Sequence, residues 1–222
     1  MRSKILEKRE VAKDTWEMRL ARPRGFDFRA GQFCEIVLPE LRARDARGAH
    51  REFSIASSPR EERVIRIAFR NTKSGFKKTL LGMKYGNAVK LDGPFGQWSL
   101  PESVEQPLLF IAGGIGITPF MSMMSEAQAS KKKYHITLFA INREFDSIPY
   151  RDKLGALGGK NVRVIHYLGR PGKKEFLGIP GIKKSKIYVA GPPGMVQDVV
   201  AMLRGAGLSQ KNVIVEEFSG YL

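Results

Sequence analysis

Cysteine is nearly missing: Cys34 is the single one in 222 residues. One thiol cannot close a disulfide within the chain. Nor can it supply the several thiolates of an iron–sulfur cluster or a cysteine-rich zinc site. Acidic residues are scarce beside basic ones, 22 Asp and Glu against 38 Lys and Arg. The resulting charge of +16 favours an anionic partner without saying which. The opening MRSKILEKRE is charged and lacks the apolar core of a secretory signal, so a cytoplasmic protein is expected. Only one stretch is apolar and long: twenty residues between Glu105 and Glu126 carry no charge, the length of a spanning helix. Pro107, Gly113, Gly114, Gly116 and Pro119 interrupt it. A buried strand, a glycine turn and an amphipathic helix fit better, and no membrane contact is expected. The remaining balance, 42% apolar and 27% charged, is that of a globular chain whose length suits one to two domains.

The two halves differ in texture. Up to about residue 102, apolar residues tend to alternate. Ile65, Ile67 and Phe69 take turns with Arg66, Ala68 and Arg70, the period of a half-buried strand. Lys4–Arg9, Thr15–Leu20, Phe33–Leu38, Phe53–Ala56 and Ala88–Asp92 are further candidate strands, and Lys77–Met83 a short helix. Such spacing predicts an antiparallel sandwich or barrel. Arg42–Arg51 is expected to be an exposed loop, since its charge density offers no face to bury. From about residue 107, continuous apolar runs appear at Leu108–Ala112, Ile136–Ile141, Val162–Leu168, Ile187–Ala190 and Val213–Val215. Helical windows at Pro119–Ser130, Pro149–Leu157 and Met195–Arg204 fall between them. That rhythm predicts a parallel sheet covered on both faces. The expected organisation is two domains, 1–102 and 107–222, with a boundary near Pro101–Pro107.

The chemistry concentrates in a few segments. In LLFIAGGIGITPFMSMM (108–124) a buried strand runs into glycines, with Thr118 and Pro119 placed as N-cap and first helical residue. Backbone N–H groups at such a turn suit a pyrophosphate. A second turn of the same kind, Gly191-Pro192-Pro193-Gly194, leads into a helix containing Met195. Two such turns at the carboxyl ends of parallel strands would flank one crevice, although either one alone also fits a rigid bend. In HREFSIASSP (50–59), Arg51 and Phe53 share a strand face and Ser54 follows. A cation, a flat aromatic and a hydroxyl suit a phosphate-bearing planar ring, although the segment taken alone fits a surface arginine and a core phenylalanine better.

In order along the chain stand Gly31-Gln32-Phe33, Arg51-Glu52-Phe53-Ser54, Gly93-Pro94-Phe95-Gly96, Gly113-Gly114-x-Gly116-x-Thr118-Pro119, Gly191-Pro192-Pro193-x-Met195 and Glu216-Glu217-Phe218. Together they resemble the ferredoxin–NADP reductase family of flavoproteins over nearly the whole chain. The resemblance implies a flavin-binding antiparallel β-barrel followed by a nicotinamide-nucleotide-binding α/β domain, with FAD as cofactor. It gives Arg51 the flavin phosphates, Phe53 the isoalloxazine face and Ser54 the neighbourhood of flavin N5. Phe53 replaces the family's tyrosine and lacks its hydroxyl. Lys77 and Thr79, after Ser74-Gly75, become pyrophosphate contacts. Gly114, Gly116, Thr118 and Pro119, with Gly191, Pro192 and Met195, hold the nicotinamide nucleotide. Ala190 stands where the family usually carries a cysteine. Glu216 lies near the nicotinamide, and Phe218 or Tyr221 covers the flavin. Arg143 and Arg170, at two strand ends, favour NADP(H) over NAD(H).

The expected function is hydride passage between NAD(P)H and FAD, with Ser54 and Glu216 as catalytic residues. Electrons then leave to an external acceptor, a small acidic protein such as ferredoxin or flavodoxin. A general flavin or ferric-complex reductase without a protein partner is the alternative. A flavin-binding subunit that does not turn over is another. A basic nucleic-acid-binding protein is the weakest: Lys131–Lys133 and Lys183–Lys186 lack interleaved aromatics. No nucleic acid is expected as partner.

Overall fold

The alternating half folds into six strands, in a computed structural model that describes residues 1–218. These are β1 (Arg2–Ala12), β2 (Thr15–Ala21), β3 (Phe33–Val37), β4 (His50–Ser54), β5 (Val64–Arg70) and β6 (Ala88–Phe95). They form one antiparallel sheet in the order β4-β3-β6-β1-β2-β5. Its outer strands also meet. Ile55, just past β4, bridges Ile67 of β5, and the Ala56 N–H donates to the Arg66 carbonyl at 2.7 Å. The sheet therefore closes as a barrel, which leaves few unpaired edges. Inward residues such as Ile5, Met18, Leu20, Ile36 and Leu91 fill it, and Phe76 and Leu80 of α1 (Gly75–Gly82) join the same core.

The second half forms a parallel sheet in the order β11-β10-β7-β8-β9. Its strands are β7 (Leu108–Gly113), β8 (Ile136–Asn142), β9 (Val162–Leu168), β10 (Lys186–Gly191) and β11 (Val213–Glu217). Helices α2 (Thr118–Ala129), α3 (Arg151–Leu157), α4 (Lys173–Leu177) and α5 (Pro193–Gly205) complete it. The apolar runs are continuous because both faces are covered. Along β7, Leu108, Phe110 and Ala112 pack on the side of α2, while Leu109 and Ile111 pack on the side of α4 and α5. Among the described residues no helix is long and apolar enough to cross a membrane.

The core on the α2 side also takes in Ala56, Ala68 and Trp98 from the first half. The Trp98 ring stacks on Phe120 at 5.7 Å and meets Tyr188 edge-on at 5.3 Å. Polar contacts reinforce the junction. The Ser122 hydroxyl donates to the Ser57 carbonyl at 2.6 Å, and the Ser58 hydroxyl to Glu126 at 3.0 Å.

Two expectations need correction. Helix α4 is absent from the sequence reading because, in five residues, only Phe176 is buried and no period can show. The segment Arg42–Arg51 is not a free solvated loop. Its last two residues belong to β4, and its Asp45 side chain is only 6% exposed, tied to α1 and Arg51.

Candidate active site

A cleft of about 490 Å³ lies between the barrel and the parallel sheet. One wall is made by β4, the end of β5 and the first turn of α1, and the other by Ile115, Thr118, Glu216 and Phe218. Alternation along β4 puts Arg51 and Phe53 on one face. The Phe53 ring is held by Phe69 at 5.7 Å and Phe76 at 6.0 Å. At the end of β4 the Ser54 hydroxyl donates to Glu216 of β11 at 3.4 Å, joining the two halves inside the cleft. Burial pushes the Glu216 carboxyl up to about 7; the Ser54 hydrogen bond opposes this and the nearby Glu52 adds to it. The Phe218 N–H donates to the Gly191 carbonyl at 2.9 Å, which fixes that residue beside the end of β10.

Basic groups crowd the barrel wall. Arg51 is 8% exposed, and its guanidinium donates to Asp45 and to the carbonyls of Arg47, Gly48 and His50. Lys77 lines the same cleft, and burial together with the Arg51 and Arg47 charges lowers its ammonium to about 8. Arg70 and Lys73 complete the wall.

On the other side, β7 and β10 are neighbours, so the two glycine turns lie side by side. A Cβ on Gly113 would stand 2.3 Å from the Met195 methyl and 3.1 Å from the Pro192 ring, so the two turns pack closely there. Gly114 has φ +53° with open space beside it, a position that glycine adopts without strain. The expected cap at Thr118 is not formed. Gly114–Ile117 make a turn of 3₁₀ helix, Ile117 becomes the cap, and the Thr118 hydroxyl donates backward to the Ile115 carbonyl. Pro119 does sit in the first turn. No side chain caps α2 or α5, whose own cap is Pro192, so both helix ends keep N–H groups for an oxyanion.

Of the residues singled out from the sequence, Arg51, Phe53, Ser54, Lys77, Thr118, Glu216 and Phe218 converge on the cleft. Gly114, Gly116, Pro119, Gly191, Pro192 and Met195 form the turns behind it. Thr79 does not join them. Its hydroxyl donates to the Gly75 carbonyl at 2.8 Å and accepts the Arg42 N–H at 3.0 Å, and it lines a different cavity. Arg143 and Arg170 are exposed just beyond β8 and β9, outside the cleft lining. Tyr221 lies outside the described residues. Sequence reasoning missed Asp45, Arg70 and Lys73. The signal for the basic pair was their clustering with Lys77 just past a strand end, and Asp45 is the one acid in a basic segment.

Residues 110–201 match the family model described as Oxidoreductase NAD-binding domain. The phenol hydroxylase P5 protein of Acinetobacter pittii is 25% identical over 96% of this chain and 64% of its own length. The propane 2-monooxygenase reductase component of Rhodococcus jostii is 22% identical over 99% of this chain and 64% of its length. The chain thus spans just under two thirds of these relatives. Among solved structures, the ferredoxin–NADP+ reductase of Plasmodium falciparum superposes with a TM-score of 0.80 at 20% identity, covering 98% of this chain and 95% of that one. The chain thus has the fold of the ferredoxin–NADP+ reductases, and residues 110–201 match an oxidoreductase NAD-binding domain. The donor set of the cleft suits a phosphate-bearing cofactor. A carboxylate, that of Asp45, already rests on the Arg51 guanidinium and the α1 N-terminus, so these groups accept an oxyanion. Ala190, where the sequence resemblance leads one to expect a cysteine, is fully buried and pairs with Glu216 in the parallel sheet.

Proposed function

We propose that the chain is an NAD(P)H-dependent flavin reductase that passes electrons to a separate acceptor. The observation that carries this reading is the Ser54–Glu216 hydrogen bond, which ties the end of β4 to the last parallel strand within the cleft. Arg51, Ser74 and Lys77 would hold the flavin phosphates, with Phe53 against the ring and Phe218 over it. The uncapped ends of α2 and α5, with the Gly114 turn, would hold the nicotinamide nucleotide. Bound FAD would supply the exchange between a two-electron donor and one-electron acceptors. Glu216, pushed up to about 7, holds its proton for half the time near neutrality and can give or take it through the Ser54 hydroxyl. Ser54 is buried, while Glu216 keeps partial access to the cleft.

NADPH is the preferred donor in this reading, because exposed Arg143 and Arg170 stand beyond the strand ends where a 2′-phosphate would need cations. The acceptor is a small acidic electron-transfer protein of the ferredoxin or flavodoxin kind, attracted by the charge of +16. The carbazole 1,9a-dioxygenase ferredoxin reductase, similar in fold with a TM-score of 0.84, supports an acceptor of that class.

A visible spectrum of the purified protein, followed by anaerobic addition of NADPH and then NADH, tests the proposal. Flavin absorption that bleaches more readily with NADPH is expected. A colourless protein that takes up no added FAD, or a flavin that neither nucleotide reduces, defeats it. Rates with an acidic protein acceptor should fall as salt rises. A salt-independent rate, matched by free flavin or ferric complexes, identifies the partner-free reductase instead.

A further inference from the structure

Asp45 occupies a place built for an anion. One carboxylate oxygen accepts the Phe76 N–H at 2.9 Å and the Ser74 hydroxyl at 2.7 Å, and the other receives the Arg51 guanidinium. A backbone N–H in the first turn of an eight-residue helix, a hydroxyl and a buried arginine are, in chemical kind, a phosphate cradle. Here the chain fills it with its own side chain.

The backbone around Asp45 is seated just as closely. A Cβ built on Gly75 would lie 2.5 Å from the carbonyl oxygens of both Ala43 and Arg44, so the loop rests directly on the first turn of α1. The Arg42 N–H adds a bond to the Thr79 hydroxyl oxygen at 3.0 Å. Basic residues outnumber acidic ones in the cleft lining, six Arg and Lys against Asp45, Glu52, Glu216 and Glu217. Burial, and then the charges of Arg51 and Arg47, lower Lys77 to about 8.

We propose that Asp45 is a displaceable internal anion: the 42–49 loop holds the flavin-phosphate cradle closed, and the FAD pyrophosphate gains Arg51, Ser74 and the α1 N-terminus only by driving Asp45 out. This rests on the flavin-binding reading above. The exchange replaces one charged set of hydrogen bonds by another. FAD affinity is therefore lower than the cradle alone would give, reduced by the fraction of chains whose loop is open. A flavin without phosphates has no need to move the loop. Asp45 thus sets how strongly the phosphate end of the cofactor counts in its selection.

The test is titration of the flavin-stripped full chain with FAD, ADP and riboflavin, comparing wild type with Asp45→Asn by calorimetry. The asparagine keeps an acceptor for the Phe76 N–H and removes the charge. Binding of FAD and ADP is expected to tighten about tenfold, the scale of one charge-assisted hydrogen bond, with riboflavin unchanged. In the wild type, backbone amides of residues 42–49 should lose hydrogen-exchange protection when FAD is added. FAD binding that is unchanged or weaker in Asp45→Asn overturns the proposal, as does increased protection of 42–49 in the wild type. If neither protein binds FAD or riboflavin, the flavin reading itself fails and takes this one with it.

Discussion

Gly116 and Ala190 touch through their backbones: a Cβ on Gly116 would stand 2.3 Å from the Ala190 carbonyl oxygen and 2.8 Å from the Gly191 Cα. The two glycine turns are thereby locked together, and the spacing between the α2 and α5 N-termini is fixed by that contact. The third glycine position of the usual dinucleotide fingerprint is Pro119 here, yet the close approach that the turn needs is made by Gly116.

Substituting Gly116→Ala forces one backbone away from the other. Urea unfolding should show a loss of about 2–3 kcal/mol, the range for overpacking against an unyielding neighbour. Gly114→Ala meets open space and carries only the cost of φ +53°, about 1 kcal/mol. Equal losses for the two variants would contradict the backbone contact.

Glu216 makes stability depend on pH in a stated direction. Its folded-state pKa is raised by burial from 4.5 to about 7, so over that interval the unfolded chain has lost a proton that the folded chain keeps. Stability therefore falls as pH rises through that window and levels off above it. Glu216→Gln stays neutral and should gain on the wild type across the same window in urea titrations. Its turnover with NAD(P)H should also lose the inflection expected near neutrality in the wild type.

Glu126 of α2 accepts the Ser58 hydroxyl at 3.0 Å and pairs with Arg60 at 3.0 Å, fastening the parallel domain to the barrel. Arg60 is largely exposed, so its share of the stability is small. Glu126→Ala should cost about 1 kcal/mol in urea unfolding, and Arg60→Ala less than half of that, with the hydroxyl bond carrying the difference.

Arg143 and Arg170 are expected to act on the donor nucleotide alone. The double change Arg143→Glu with Arg170→Glu should raise KM for NADPH about tenfold or more and leave KM for NADH nearly unchanged, since only NADPH carries the 2′-phosphate. An equal effect on both nucleotides in steady-state assays would count against a role in NADP preference.

Much of the fold was legible because both halves write their burial into period. Ile65, Ile67 and Phe69 alternate with more exposed neighbours in a barrel strand, and Leu108–Ala112 is apolar throughout because helices cover both faces of β7. The site was legible in part. Arg51, Phe53, Ser54, Glu216 and Phe218 were singled out from their place in the motif order, and the structure brings all five to one cleft. What escaped were residues whose role depends on distant partners. Asp45 sits in a segment whose composition says solvent, and the approach of α1 together with the Arg51 guanidinium gives its charge partners. Thr79 had the right residue type near the right turn, but helical geometry sends its hydroxyl back to the Gly75 carbonyl.

Local pattern by itself determined the strands, most of the helices (though not α4), the change from antiparallel to parallel sheet and the two glycine turns, because periodicity and turn chemistry act over a few residues. Tertiary structure decided that the barrel closes through Ile55 and Ile67, that Ser54 meets Glu216 across 162 positions, and that a carboxylate from a basic loop fills the α1 cradle. Those contacts join segments far apart in the chain. Their energies depend on distance and burial in space, which no local run of residues records.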